Sequence, residues 1–188
     1  MLRTIINHEF LARTIYPEAS RSLYASLEGL LSWDFQYWLQ RGSLEVEFGS
    51  VALAENFLGQ ARALAPDDPF VLTEWSYLLF SKAQEQPHAV AAPELAAQAS
   101  DILEELIDRP GNNDPYPYHV LGSQGLRWAR RGIDGRSEKE RYLNKLLTIV
   151  QAGRNKFPRA ADLEQLWKDL KKESLGLIVA ANASTSPT

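Results

Sequence analysis

The chain has 188 residues, 45% of them hydrophobic, with 20 Lys and Arg against 24 Asp and Glu for a formal net charge of −4, and no cysteine. That length and apolar content suffice for one sizeable core or for an extended stack of helices. Without cysteine there is no disulfide framework, thiolate metal site or thiol nucleophile, and no run approaches the roughly 20 apolar residues that span a bilayer. Met1 to His8 lacks the apolar segment and small-residue cleavage site of a secretory leader, so a cytoplasmic setting is expected.

Hydrophobic periodicity predicts helix almost throughout. A first helix is expected over Ile5 to Tyr16 and a second over Pro17 to Leu31, with Pro17 in its first turn. From Trp38 to Phe48 apolar residues recur at helical intervals, and Gly49-Ser50 then ends that helix and caps the next. From Val51 to Ala65, Val51, Ala54, Leu58, Ala61 and Leu64 (or Ala65) follow steps of three and four, with Glu55, Gln60 and Arg62 between them. At Ala65-Pro66-Asp67-Asp68-Pro69 the prolines deny helix to their predecessors, and an aspartate can cap the helix beginning near Pro69. That helix turns Leu72, Trp75 and Leu79 inward before a loop from Gln84 to Pro93 and a helix from Glu94 to Asp108. A further pair opens at Pro115, carries Tyr118, Leu121 and Gly122, and closes at Pro158 after Leu146, Val150 and Gly153. A last helix is expected from Arg159 or Ala160 to Ala180, followed by a frayed tail over 181–188. Strand signals are scarce, with Gly111-Asn112 the one hairpin-like dipeptide. The expected organisation is one domain over 1–180: N-terminal helices 1–33, three pairs at 34–68, 69–114 and 115–158, and a closing helix 159–180.

The residues that carry chemistry are dispersed. His8, His88 and His119 lie far apart and none belongs to a ligand cluster such as H-E-x-x-H. Glu45 and Glu47 are two apart and cannot share a helix face, and Asp67-Asp68 reads as a helix cap. Phosphate-cradling glycine motifs and a serine elbow are missing. No catalysis, metal or cofactor is expected. Of the five tryptophans, Trp33, Trp38, Trp75, Trp128 and Trp167, about one falls in each helical layer, and Trp38, Trp75 and Trp128 read as core anchors.

Charge is unevenly distributed. Residues 1–94 hold 6 basic and 12 acidic side chains, whereas 95–188 hold 14 and 12. From Arg127 to Arg159 there are ten basic residues against three acidic. A solvated helix face with i,i+4 pairing accounts for this stretch; the alternative is a nucleic-acid-binding module over 127–159.

The spacing of Trp38, Gly42, Ala54, Ala61 and Pro66 resembles the tetratricopeptide repeat, with Leu58 in place of the usual aromatic and with Arg41 and Glu45 where Leu and Tyr are usual. The resemblance implies an all-α protein of antiparallel helix-turn-helix repeats forming a short right-handed stack, in which the first helix of each pair lines a concave surface. On that mapping the lining residues are Gln36, Leu39, Ser43 and Glu47 in the first pair, Phe70, Thr73, Tyr77 and Ser81 in the second, and Tyr116, His119, Ser123 and Arg127 in the third. Tyr77, Phe80 and Tyr116 would be the aromatic anchors. Family members that clamp the terminal carboxylate of chaperones use several Lys, Arg and Asn there, and Leu39 and Ser43 depart from that set. The strings Tyr37-Trp38-Leu39-Gln40-Arg41-Gly42, Tyr116 to Gln124 and Trp128-Ala129-Arg130-Arg131-Gly132 also look like the C-terminal helical-repeat parts of bacterial multidomain signalling ATPases of the STAND type. A start directly in a predicted helix fits a piece of such a longer polypeptide. The implied function is a non-catalytic scaffold or sensor that binds a protein or peptide in a helical groove.

Overall fold

A computed structural model describes residues 16–184, with side chains as far as Leu177. Among the described residues the chain forms eight helices and no strand: α1 (Pro17–Leu31), α2 (Phe35–Phe48), α3 (Val51–Leu64), α4 (Pro69–Glu85), α5 (Ala92–Asp108), α6 (Tyr116–Arg131), α7 (Arg136–Lys156) and α8 (Ala161–Ser184). The all-α reading and the packing of neighbouring helices in a helical-repeat arrangement stand. None of these helices is long and apolar enough to cross a membrane. The chain divides into two compact units, one ending at Ser81 and the other beginning at Lys82, so the division falls inside α4.

Most expected boundaries match to within a residue or two, and the departures have local causes. The helix expected over Ile5 to Tyr16 lies outside the described residues, except that Tyr16 precedes α1 rather than ending a helix. The apolar stripe read from Trp38 lies on α2, which starts at Phe35, where Asp34 Oδ1 accepts the Gln36 amide at 2.9 Å and caps the helix. Helix α8 runs to Ser184, past Ala180, so 181–184 continue the helix. Gly111 makes no hairpin. Its φ of 81° sits at the third position of a turn closed by Asn112 N and Arg109 O at 3.1 Å, with Pro110 at the second, which is type II geometry linking α5 to α6.

Three aspartates at helix starts reveal a register: Asp34 and Asp68 cap α2 and α4, and Asp114 stands one residue before Pro115, the N-cap of α6. Asp34 Oδ1 accepts from Gln36 N, Asp68 Oδ1 from Phe70 N, and Asp114 Oδ1 from Tyr116 N, each at 2.9 Å. Asp34 and Asp68 are 34 residues apart, and Asp68 and Asp114 are 46 apart. Eight residues beyond each aspartate stands a small buried residue: Gly42, Ser76 and Gly122. A side chain at Gly42 would overlap Leu58, and one at Gly122 would meet Val150 Cγ2 at 2.7 Å and Leu166 Cδ2 at 2.6 Å. The two glycines let side chains of later helices approach closely.

In the first unit α2 packs on α3 across the Gly49-Ser50 turn, and α1 packs on α2. Ala54, Leu58 and Ala61 are fully buried, as their spacing predicts, in a core that also holds Tyr24, Tyr37, Leu44, Val71 and Leu78. The Tyr37 hydroxyl donates to the Tyr24 carbonyl at 2.7 Å, and Trp38 Nε1 donates to Ser32 O at 2.8 Å. Arg41 and Glu45, the two departures from the repeat pattern, each reach α1. Arg41 Nη1 meets Glu28 at 2.7 Å, with its guanidinium 4.0 Å from the Phe57 ring centroid. Glu45, nearly buried, takes Arg21 Nε at 2.8 Å, while Arg21 Nη2 also donates to Phe48 O at 3.0 Å. The antiparallel crossing of α1 and α2 follows from this pairing of 21 with 45 and 28 with 41.

In the second unit α6 packs on α5, α7 and α8, and α7 packs on α8. Tyr118 lies against Gly153, where an added Cβ would come within 2.7 Å of Tyr118 Cδ1, and its ring meets Phe157 edge-on at 5.8 Å. Gly125 receives Leu146. Leu103, Leu121, Leu143, Val150, Leu163 and Leu170 complete a chiefly apolar interior. Ion pairs lace its surface: Arg130 with Glu173 at 2.8 Å, Lys145 with Glu104 at 2.6 Å, and Arg154 with Glu164.

Candidate functional site

The residues expected to line a groove divide by unit. In the first, Leu39, Ser43, Thr73 and Phe80 are buried, Tyr77 is half-buried and Glu47 is exposed. Phe80, expected as an aromatic anchor, has no exposed surface. The reason lies in α4, which buries Val71, Leu72, Thr73, Ser76, Leu78, Leu79, Phe80 and Ala83 around much of its circumference. Thr73 spends its hydroxyl on its own helix, donating to Pro69 O at 2.7 Å. Leu39 belongs to the core of its unit, and Ser43 is buried beside it in sequence on α2. Neither offers a surface. Trp33 is the reverse case, 73% exposed although it is the bulkiest residue type, with Nε1 tied to Leu30 O at 2.9 Å.

In the second unit Tyr116, His119 and Ser123 are half-buried and Arg127 is exposed, along one side of α6. Burial lowers the His119 pKa, Asp162 at the start of α8 pulls it back up, and Arg127 depresses it further. A neutral imidazole therefore sits in this stripe at neutral pH. Ser123 Oγ donates weakly to Val120 O at 3.4 Å. Among the described residues no group of three or more His, Cys, Asp or Glu is placed to hold a metal ion.

The same unit contains a cleft of about 200 Å³ that sequence spacing did not indicate. Helix α5 supplies Pro93, Ala96, Ala97 and Ser100 to one wall; Trp128 of α6 forms the floor with Gly132 and Ile133 of the following turn; Glu138 and Tyr142 of α7 complete it. The floor depends on Gly132, since any side chain there would run into the Trp128 ring. Ser100 Oγ donates to Ala96 O at 2.9 Å. Burial pushes the Tyr142 phenol up to about 12, against the pull of the neighbouring Ser100 hydroxyl and with the help of the Glu104 carboxylate, so it stays protonated at neutral pH. The cleft is chiefly apolar, with two hydroxyls inside and one exposed carboxylate, Glu138, at its edge. Glu138 and Tyr142 are four apart on α7 and share a face, as Pro93, Ala96, Ala97 and Ser100 do on α5; sequence spacing could have joined residues within each helix but not one helix to the other.

Several members of the basic stretch 127–159 are already engaged. Arg130, Lys145 and Arg154 hold carboxylates, Arg136 donates to the Leu177 carbonyl, and Arg154 also lies 4.3 Å from the Trp167 ring centroid. The side-chain hydrogen bond from Arg154 and its charge hold the exposed Glu164 carboxyl below its ordinary range. No family model, no characterised protein and no solved structure matches the chain.

Proposed function

We propose that this chain is a tetratricopeptide-like helical scaffold that binds a protein or peptide and carries out no catalysis. The observation that supports it best is the cap register. Asp34 and Asp68 stand one 34-residue repeat apart, and the small residue eight positions on recurs at Gly42, Ser76 and Gly122. Repeats of this kind act through side chains left over after neighbouring helices have packed. The half-buried or exposed side chains proposed for that role are Tyr77 and Glu47 in the first unit, and Tyr116, His119, Ser123 and Arg127 with the cleft in the second. In the finer form of this reading, the chain is the sensor part of a bacterial, cytoplasmic signalling ATPase, presenting these surfaces to a protein ligand.

The test is capture of a partner on the immobilised chain followed by affinity measurement with the purified partner. Tyr116→Ala combined with Arg127→Ala is expected to weaken binding by more than about tenfold if the α6 stripe includes an aromatic anchor, with helicity unchanged. Arg127, Arg131, Lys139, Arg141 and Arg159 make no ion pair among the described residues, so a nucleic-acid ligand is the second reading. It would show as an affinity that falls by orders of magnitude between about 50 and 200 mM salt. An affinity nearly independent of salt rejects it.

A further inference from the structure

We propose that the cleft between α5, the α6–α7 turn and α7 receives a single lysine or arginine side chain from the partner protein, a refinement that rests on the scaffold reading above. Size is the first reason. At about 200 Å³ the cleft is smaller than the roughly 300–1,000 Å³ of sites that enclose a small molecule, and it suits one long side chain. Its walls supply the second. Ala96, Ala97, Ile133 and the Trp128 ring form an apolar trough that would cover the methylene stem, and the Trp128 ring favours a cation over an anion nearby.

Charge decides the head group. Glu138 stands at the exposed edge and makes no ion pair among the described residues. The nearest basic side chains in sequence on its own helix are Arg136, Lys139 and Arg141; Arg136 is turned to the Leu177 carbonyl, and neither of the others pairs with Glu138. Arg130, from the preceding helix α6, and Lys145, further along α7 itself, are held by Glu173 and Glu104. An acidic side chain entering here would meet Glu138 with like charge. A purely aliphatic one would leave that carboxylate unused. An ammonium or guanidinium reaching the rim keeps its own hydration in part, so the desolvation that makes buried charges expensive is avoided.

Backbone and side-chain NMR of the isotopically labelled chain tests this with two probes, N-acetyl-lysine methylamide and its neutral analogue N-acetyl-norleucine methylamide. The expected result is saturable shifts of the Trp128 indole and the Ala97 and Ile133 amides with lysine, about two- to fivefold tighter than with norleucine, the worth of a partly exposed ion pair. Glu138→Gln should erase that difference without loss of helicity, and Ala97→Phe should fill the cleft and abolish both responses. Equal affinities for the two probes, or no saturable shift, would overturn the proposal. The scaffold reading is judged separately. A captured partner whose affinity is indifferent to both Glu138→Gln and Ala97→Phe removes the cleft from its interface and leaves the scaffold intact, whereas lysine binding with no protein partner leaves the cleft and removes the scaffold.

Discussion

The α2–α3 pair of the first unit and the α6–α7 pair of the second start from the same local plan and secure themselves differently. Counted from Asp34 and Asp114, Trp38 corresponds to Tyr118, Arg41 to Leu121, Gly42 to Gly122, Ser43 to Ser123 and Glu45 to Gly125. The glycine is kept because a branched side chain from the next helix occupies the space of its missing Cβ, Leu58 in one case and Val150 with Leu166 in the other. The flanking positions are not kept. Arg41 and Glu45 reach out to Glu28 and Arg21 of α1, whereas Leu121 is buried among apolar neighbours and Gly125 receives Leu146. A repeat position therefore specifies how close two helices come, while the residues beside it specify what chemistry holds a third.

The largest expected effect attacks the shared element. Gly122→Leu, which must displace both Val150 and Leu166, and Ala54→Leu at the crossing of α2 and α3 are each expected to destabilise by about 3 kcal/mol, the upper end for overpacking, read as a lower urea midpoint with unchanged slope. An unaltered midpoint in either variant would break the equivalence of the two pairs.

Next comes the element they do not share. Glu45→Ala leaves Arg21 with only Glu18 and the Phe48 carbonyl, and because the Arg21 side chain is 26% exposed the loss should be about 2 kcal/mol, short of the value for a fully buried pair. Combining it with Arg21→Met should recover part of that loss in a double-mutant cycle. Gly125→Ala, at the corresponding place in the second unit, should respond through packing against Leu146 and not through charge, so its effect should be insensitive to salt.

Much of this architecture was legible in the sequence, and the illegible part has definable causes. Proline and glycine punctuation placed α1 and α3 because those signals are local. The step-of-three-and-four pattern put Ala54, Leu58 and Ala61 inside. Arg41 and Glu45 looked like defects in a consensus because their partners, Glu28 and Arg21, lie on another helix, and nothing in their own neighbourhood names them. The burial of Phe80 could not be read from spacing, because α4 buries more than one stripe. The cleft was invisible for the same kind of reason: Ala96, Trp128, Ile133 and Tyr142 become neighbours only through the packing of α5, α6 and α7. The register of Asp34, Asp68 and Asp114 was available, and would have placed the start of α2.

A smaller effect measures how alike the three aspartates are. Asp34→Ala and Asp68→Ala should each cost about 1 kcal/mol, and Asp114→Ala, one residue outside the N-cap of α6, should cost less. Asp68 should be the most sensitive, since it also accepts from Val71 N at 3.1 Å. Equal thermal shifts for Asp34→Ala and Asp68→Ala would show that this second bond adds nothing.

The smallest effect separates His119 from Leu39, its counterpart five residues after the aspartate. The folded His119 pKa lies below its ordinary 6.5, so the unfolded chain takes the proton first as the pH falls. Its contribution is constant above 6.5, and stability declines as the pH drops from 6.5 through the folded value. His119→Leu should flatten the stability profile over that window while leaving the profile at higher pH parallel to that of the parent. A difference curve that rises toward acid would reverse the sign and refute the burial of a neutral ring.

The two glycine contacts also differ in how far along the chain they reach. Gly42 meets Leu58 sixteen residues away, across the two-residue turn at Gly49-Ser50, whereas Gly122 meets Leu166 forty-four residues away. Closing the longer loop costs about 0.9 kcal/mol more in chain entropy, and that contact cannot form until α8 has been made. During synthesis the α2–α3 hairpin can shut while the ribosome is still adding the second unit. The apolar stripe of α2 and α3 is therefore hidden before the second unit is complete, which narrows the interval in which that stripe is open to the wrong company.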